Sequence, residues 1–184
     1  MKKIALLGDS IRQIGYGTIL PDVLGEDYEV WQPQDNCRFA QHTFCMVTSE
    51  WYKNLEGCDL IHWNNGLWDT CHRIDDGCFS SIEEYVRSMT RIARFLLRYT
   101  DKLVFATTTP VKPTNRNQKN EEIDAYNAAV VPELQKMGVI INDLAAIVKA
   151  DIDGNICDDL IHLTQKGKEV CANHIATLIK EILK

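Results

Sequence analysis

Three short segments of the sequence carry residue types that together could perform nucleophilic acyl chemistry. A Gly-Asp-Ser tripeptide ending at Ser10 follows the apolar run Ile4–Leu7, where a first strand should give way to a helix. A serine hydroxyl is nearly inert at its free pKa, so it needs a base and oxyanion donors from elsewhere in the chain. An Asp-Leu-Ile-His segment ending at His162 offers the base, and Asn64 offers an amide donor.

Each of these residues has a defined expected role. Ser10 would attack the acyl carbon, and its own backbone N–H, at the start of a helix, would help to hold the oxyanion. His162 would take the Ser10 proton. Asp159, three residues upstream of His162, is close enough to accept the Nδ1 proton and to leave Nε2 facing the serine. Asp158 is less favoured than Asp159 as the partner of His162. The Asp9 carboxylate is expected to stabilise its own loop by accepting hydrogen bonds from backbone N–H groups.

The identity of the side-chain oxyanion donor depends on the register of the third strand. Asn64 carries an amide that can donate to a developing oxyanion, and its alternative role is to satisfy a backbone carbonyl at the strand end. Asn65 competes for the same role, and the sequence leaves the choice between the two open.

Apolar runs of strand length alternate with longer segments of helical period, which predicts βαβ units and a mostly parallel sheet. The segment 11–20 predicts a weaker helix that stops at Pro21. The architecture expected is a three-layer α/β/α sandwich around a five-stranded parallel sheet. The predicted strands are Lys3–Leu7, Tyr28–Trp31, Asp59–Trp63, Lys102–Thr107 and Val139–Ile141, and the predicted helices are Thr43–Leu55, Ser81–Tyr99, Gln118–Met137 and Thr164–Leu183.

The candidate residues all follow predicted strands or precede the last predicted helix. Ligands of such sheets bind outside the carboxyl ends of the strands, at the point where strand order reverses. We therefore expect Ser10, Asn64 and His162 to meet at one edge of the sheet.

The Gly-Asp-Ser tripeptide, the asparagine behind the third strand and the late Asp-x-x-His resemble the blocks of the SGNH (GDSL-type) hydrolases. The resemblance spans residues 3 to about 180. It implies a flavodoxin-like α/β/α fold, one domain over 1–184, ester or thioester hydrolysis and no cofactor or metal. It also implies a catalytic role for Ser10, His162, Asp159 and Asn64.

Two blocks depart from the family pattern. Where the third block usually reads Gly-x-Asn-Asp, this chain has His-Trp-Asn-Asn ending at Asn65. The glycine of the second block, whose backbone N–H is an oxyanion donor in the family, is replaced within the Asn-Cys-Arg segment ending at Arg38. The resemblance thus makes Cys37 or Arg38 the backbone donor.

Composition limits the partners and the compartment. The net charge is −6 without a basic stripe, which argues against nucleic acid and against an anionic membrane surface, and favours a small-molecule ester as ligand. Only about four apolar residues follow the charged start, fewer than the apolar core of a signal peptide, so a cytoplasmic location is expected. The seven cysteines are scattered without a C-x-x-C pair, which favours reduced thiols, and the spacing of Cys71, His72 and Cys78 matches no zinc pattern.

Several further side chains have two interpretations. Trp63, Trp68 and Tyr16 could wall a site for a sugar or an aryl ester, or could be core, and core is favoured for Trp63. Arg12 could meet an acidic substrate group, but a solvated helix face is favoured. Three other histidines, His42, His62 and His72, are expected to face solvent or to be hydrogen-bonded structural residues.

Two other functional classes remain for the same fold. A nucleotide- or flavin-binding module would need a glycine-rich phosphate loop after the first strand, and the segment beginning at Gly8 lacks the G-x-G-x-x-G pattern. A non-catalytic interaction protein would keep the fold without the activity. For an enzyme, the short loops predict a shallow, open pocket suited to small acyl groups, such as acetyl on a carbohydrate.

Overall fold

A computed structural model describes the whole chain, Met1–Lys184. Its centre is a sheet of five parallel strands in the order β2-β1-β3-β4-β5. All five predicted strands are present, and each boundary lies within one residue of the prediction. The strands are β1 (Lys2–Leu7), β2 (Tyr28–Trp31), β3 (Leu60–Asn64), β4 (Leu103–Ala106) and β5 (Ile140–Asn142).

Helices cover both faces of the sheet, which confirms the three-layer α/β/α sandwich. They are α1 (Leu20–Leu24), α2 (Ala40–Ser49), α3 (Tyr52–Leu55), α4 (Ile82–Leu96), α5 (Asn120–Lys136), α6 (Leu144–Lys149), α7 (Ile152–Asn155) and α8 (Gln165–Ile182). None of these helices is both long enough and apolar enough to cross a membrane.

The alternation of side chains along β1 divides the core into two halves. Ile4 and Leu6 pack with apolar residues of α1, α6 and α8 on one face. Ala5 and Leu7 pack with α2, α4 and α5 on the other. Because successive strand residues point to opposite faces, a strand buried on both sides reads as a continuous apolar run. This is why β1 and β3 were recognisable from sequence.

The long helices begin where the sequence offers caps. The Ser81 hydroxyl accepts from the Glu84 N–H while the Glu84 carboxylate accepts from the Ser81 N–H, which forms a capping box at α4. Thr164 caps α8 by accepting from the Gly167 N–H at 3.0 Å. The α8 cap fixes the start of that helix directly behind His162.

The helix predicted over 11–20 was wrong in form. The chain instead makes a π-helical turn, Ile11–Gly15, and a 3₁₀ turn, Tyr16–Thr18, before α1. Pro21 does not end a helix, because it lies in the first turn of α1, where its missing N–H costs no hydrogen bond. The predicted helix over 43–55 is divided into α2 and α3.

Two helices, α6 and α7, were not predicted. They have six and four residues, too few to show a helical period. Their available signals are aspartate caps: Asp143 accepts from the Ala146 N–H, and Asp151 accepts from the Gly154 N–H.

Strand order reverses around β1, which has β2 on one side and β3 on the other. Leu7, the last residue of β1, pairs with Trp63, the residue before Asn64. The loop after β1 and the end of β3 therefore meet at the switch point of the sheet, where α/β folds bind their ligands.

Candidate active site

The structure brings Ser10, His162 and Asp159 into one hydrogen-bonded chain. Ser10 Oγ lies 2.9 Å from His162 Nε2, and His162 Nδ1 lies 2.7 Å from Asp159 Oδ2. This geometry fits an imidazole that donates from Nδ1 to the carboxylate and accepts the serine proton at Nε2. Ser10 and His162 are 152 residues apart in sequence.

A short, self-supporting loop holds the histidine and the aspartate. Asp159 Oδ1 accepts from the backbone N–H groups of Ile161 and His162, at 3.1 and 2.9 Å. Leu160, which directly follows Asp159, adopts a left-handed backbone conformation with φ of 74°, which is uncommon for a residue other than glycine. The Cys157 N–H donates to the His162 carbonyl at 2.7 Å and closes the loop.

The pKa of Asp159 is lowered from its ordinary value. Partial burial acts in the opposite direction, but the N–H groups of His162 and Ile161 and the His162 ring outweigh it. The carboxylate that faces the imidazole is therefore ionised over the neutral pH range.

Asp9 shapes the turn that presents Ser10. Its Oδ1 accepts from the Ile11 N–H at 3.0 Å, and its carbonyl accepts from the Arg12 and Gln13 N–H groups. The predicted structural role of Asp9 is thus confirmed. Burial raises the pKa of this carboxyl, although the Ile11 N–H and the amide of Asn64 act in the opposite direction. The backbone N–H of Ser10 makes no hydrogen bond within the protein.

Asn64 lies directly behind this turn and is held at both ends of its amide. Its Oδ1 accepts from the Tyr16 hydroxyl at 2.8 Å, and its Nδ2 donates to Asp9 Oδ1 at 2.8 Å. An amide nitrogen carries two protons, so one N–H of Asn64 remains for another acceptor. A Cβ added at Gly8 would lie 2.0 Å from Asn64 Oδ1, which explains why a glycine precedes Asp9.

The tyrosine that orients Asn64 belongs to a longer buried series of hydrogen bonds. His62 Nδ1 lies 3.5 Å from the Tyr16 oxygen, and His62 Nε2 lies 3.2 Å from Asn142 Nδ2. His174 Nε2 lies 2.8 Å from Asn142 Oδ1. Burial lowers the pKa of His62 to about 3, so its ring is neutral at neutral pH.

Asn65 is engaged differently from Asn64. Its Oδ1 accepts from Trp63 Nε1 at 2.8 Å and from the Thr43 hydroxyl at 3.0 Å, while its Nδ2 donates to the Arg38 carbonyl at 2.8 Å. All these partners belong to the protein framework. The side chain of Asn65 thus ties β3 to the loop before α2.

The two candidates for the backbone oxyanion donor after β2, Cys37 and Arg38, also differ in their hydrogen bonds. The Cys37 N–H donates to the Gly8 carbonyl at 3.0 Å, so it is not available to an oxyanion. The Arg38 N–H donates to Asn36 Oδ1 at 2.7 Å, and Asn36 lines the cavity beside Ser10. Arg38 has φ of 53°, the left-handed region in which glycine carries no steric penalty.

The solvated helix face predicted for Arg12 was wrong, and so was the alternative of a substrate contact. The side chain is only 1% exposed. Its guanidinium donates to the carbonyls of Gly8, Pro33 and Asp35, at 2.8 to 3.0 Å. Arg12 therefore fastens the loop after β2 to the turn that carries Ser10.

A cavity of about 260 Å³ opens beside Ser10 and His162. Its polar lining includes Asn36, Arg73 and Gln118, and Trp68 contributes an aromatic wall. Asn64 and Asn65 do not line it. A larger cavity of about 350 Å³ lies between α5 and α6, away from these residues.

Of the aromatic residues considered, only Trp68 reaches the cavity. Trp63 and Tyr16 are fully buried in the core. The histidines expected to be either solvent-facing or hydrogen-bonded within the protein are hydrogen-bonded. His42 Nδ1 lies 3.1 Å from the Cys37 carbonyl oxygen, and His72 Nε2 lies 2.7 Å from Glu122 Oε2.

Sequence reasoning did not identify Gln118, Asn117 and Arg73 as residues of the cavity. They lie on loops outside the motif segments, and no local pattern distinguishes them. Gln118 is 6% exposed, and its Oε1 has no hydrogen-bond partner although its Nε2 donates to the Leu67 carbonyl.

Comparison with solved structures finds the same architecture in ester-cleaving proteins. A lipase/acylhydrolase from Enterococcus faecalis superposes with a TM-score of 0.80 at 18% identity, over 98% of this chain and 96% of its own. A carbohydrate acetylesterase from Sinorhizobium meliloti has a TM-score of 0.79 at 13% identity, over 99% and 100%. An acetylxylan esterase from Geobacillus stearothermophilus has a TM-score of 0.76 at 12% identity, over 96% and 93%.

A scan against protein-family models finds no match, and neither does a search of curated proteins. At the identities of the structural matches the likeness establishes the fold. The chain has the α/β/α fold of these acylhydrolase and acetylesterase structures.

Proposed function

We propose that this protein is a serine ester hydrolase of the SGNH type, formed by residues 1–184 as one catalytic domain and acting in the cytoplasm. The observation that carries the proposal is the chain of hydrogen bonds from Ser10 Oγ through His162 to Asp159, with distances of 2.9 and 2.7 Å. The fold shared with acylhydrolase and acetylesterase structures supports it.

The reaction proceeds in two halves. Ser10 Oγ attacks the acyl carbon while His162 Nε2 takes its proton, which gives a tetrahedral oxyanion. The oxyanion collapses as His162 returns the proton to the leaving alcohol, and the acyl group stays on Ser10. Water then attacks the acyl-enzyme by the same route, giving the carboxylic acid and free Ser10. Asp159 holds the imidazole tautomer throughout.

The oxyanion is stabilised by three donors in this proposal. They are the unpaired backbone N–H of Ser10, the second N–H of the Asn64 amide and the N–H of Arg38. The oxyanion would replace Asn36 Oδ1 as the acceptor of the Arg38 proton. The Asn64 amide needs no reorientation, because Tyr16 and Asp9 already fix it, and preorganised donors contribute most to such catalysis.

The cavity favours a short acyl group on a hydroxylated alcohol. Asn36, Arg73 and Gln118 offer polar side chains that can hydrogen-bond a hydroxyl. Trp68 offers a flat apolar surface of the kind that sugar rings contact. Acetylated carbohydrates fit these features, and they are the substrates named for two of the similar structures. Acetate release from an acetylated sugar should therefore exceed hydrolysis of a p-nitrophenyl octanoate.

The deciding experiment is labelling with a serine-directed phosphonate alongside p-nitrophenyl acetate turnover. We expect one covalent adduct, on Ser10, and a loss of turnover on the order of 10⁴-fold or more in Ser10→Ala with unchanged melting. Ser49→Ala, at an exposed serine of α2, is the matched control and should behave as wild type. Near-normal hydrolysis by folded Ser10→Ala would refute the proposal.

A further inference from the structure

A second group of chemically reactive side chains lies beside the candidate active site. His72 and Cys78 face each other across an isolated antiparallel bridge in the loop before α4, and Glu122 lies in the first turn of α5. Potential ligand atoms of the three residues all lie within 4.8 Å of one another. His72 Nε2 is 2.7 Å from Glu122 Oε2 and 3.6 Å from Cys78 Sγ.

We propose that His72, Cys78 and Glu122 form a binding site for a divalent metal ion, best suited to zinc, with water as a fourth ligand. An imidazole nitrogen, a thiolate and a carboxylate are the ligand types that zinc takes, and three protein ligands with one open position are a known arrangement. The site differs in place and chemistry from the Ser10 centre.

The distances support tetrahedral coordination. Zinc bond lengths of about 2.3 Å to sulfur and about 2.05 Å to nitrogen place the two ligand atoms about 3.6 Å apart. Cys78 Sγ and His72 Nε2 already have that separation. Nitrogen and oxygen ligands would lie about 3.3 Å apart, so Nε2 and Oε2 need to separate by about 0.6 Å from their hydrogen-bonded distance.

Charge and access also suit the ion. The thiolate and the carboxylate together balance the two positive charges of the ion, while Lys119 Nζ, 3.5 Å from Glu122 Oε1, pairs with the carboxylate oxygen that does not contact His72. The side chains of His72 and Glu122 are 22% and 29% exposed, which lets an ion and a water molecule reach the site. The sequence did not suggest this set because Glu122 lies 50 residues after His72.

The site would join two walls of the active-site cavity. Cys71 and Arg73, on either side of His72, line one wall, and Asn117 and Gln118, just before α5, line another. The His72 N–H already donates to the Asn117 carbonyl at 2.7 Å. A bound ion would add a second connection between these walls and stiffen the cavity, without contact with the acyl group.

The test starts from metal-free protein titrated with Zn²⁺ alone by calorimetry, and with Co²⁺ followed by absorbance. We expect one ion per chain, a higher melting temperature, and for Co²⁺ a tetrahedral spectrum with a thiolate charge-transfer band. These measurements are independent of esterase activity, so their failure and that of the proposed function are distinguishable. A wild-type chain that binds no stoichiometric Zn²⁺ would overturn the proposal.

Cys78→Ala is the deciding variant, because it leaves the pair of His72 and Glu122 intact. Its Zn²⁺ affinity should fall about 100-fold or more, since even residues that only support metal ligands cost 10- to 100-fold. The matched control is Cys45→Ala, at an exposed thiol on α2, which should bind as wild type. Equal affinity in Cys78→Ala and wild type, or a Co²⁺ complex without a thiolate band, would also overturn the site.

Discussion

The two halves of the candidate site are built in opposite ways. His162 and Asp159 lie on one short loop near the surface, with side chains 32% and 51% exposed. Asn64 and its supports Tyr16 and Asp9 are buried and come from two distant parts of the chain, the end of β3 and the segment between β1 and α1. The proton-transfer half is therefore local and partly solvated, whereas the proposed oxyanion half is long-range and enclosed.

The two halves position their side chains by different interactions. On the exposed loop, Asp159 positions His162 through a hydrogen bond to its ring and another to its backbone, both within three residues. On the buried side, hydrogen bonds in low dielectric are stronger, and unpaired groups are costly. Changes to the exposed half should thus affect turnover with little effect on the fold, whereas changes to the buried half should affect both.

The largest effect in this comparison is expected for Asp159→Asn. An amide would let His162 settle in the wrong tautomer, so kcat should fall about 10³-fold with little change in melting. Asp158→Asn is the matched control, because Asp158 is fully exposed and paired only with Lys112. Turnover of p-nitrophenyl acetate checks both. A loss of only about tenfold would indicate a serine–histidine pair that works without a full triad.

Asn64→Ala should have the next largest effect. Removal of one oxyanion donor lowers kcat by about 10²-fold or more with a small change in KM. It should also lower the free energy of unfolding, because Tyr16 and Asp9 lose their partner. In Asn65→Ala the loss should be mainly of stability, since its partners are framework groups. If Asn65→Ala lost more turnover than Asn64→Ala, Asn65 rather than Asn64 would be the side-chain oxyanion donor.

Tyr16→Phe tests whether the buried support positions Asn64. We expect kcat to fall about tenfold at unchanged KM, together with a stability loss of about 1–3 kcal/mol from the unpaired Asn64 oxygen. Tyr85→Phe is the control: Tyr85 is equally buried and donates to the Asn65 carbonyl at 3.0 Å. It should lose less stability, because the Asn65 carbonyl still accepts from the Thr108 hydroxyl at 2.8 Å, and it should keep its kcat. Equal kcat values for the two variants would count against positioning by Tyr16.

The smallest effect in the wild type should be the pH dependence of unfolding, because two buried groups oppose each other. Burial lowers the pKa of His62 to about 3, so its stabilising contribution is lost as pH falls below the ordinary value of 6.5. Burial raises the pKa of Asp69 to about 7, so its contribution is lost as pH rises from the ordinary 3.8 toward 7.

Between pH 4.5 and 6 the contributions of His62 and Asp69 have opposite signs, and single variants should separate them. The slope of stability against pH should be more negative in His62→Gln than in the wild type and more positive in Asp69→Asn, by up to about 1.4 kcal/mol per pH unit in each case. Urea unfolding across this range measures both slopes, and His42→Gln serves as the control at a half-buried histidine. Changes of slope in the same direction in the two variants, relative to the wild type, would contradict the burial argument.

Much of the fold could be predicted from the sequence because its signals are local. β1 and β3 are apolar runs of strand length, and α4 and α8 show a clear helical period with caps. The segment between β1 and α1 could not be predicted in the same way. Its π-helical and 3₁₀ turns accompany the burial of Arg12 against the loop after β2 and of Tyr16 against β3, which local propensity does not encode.

The sequence by itself determined the α/β/α order of elements and the expectation that Ser10, Asp159 and His162 form a unit, because chemical type and short spacing are visible along a chain. Only the tertiary structure decided which N–H groups are free, that Arg12 is buried, and that Gln118 lines the cavity. Each of these depends on contacts between residues far apart in sequence, where burial and hydrogen-bond partners are set by the packing of the whole domain.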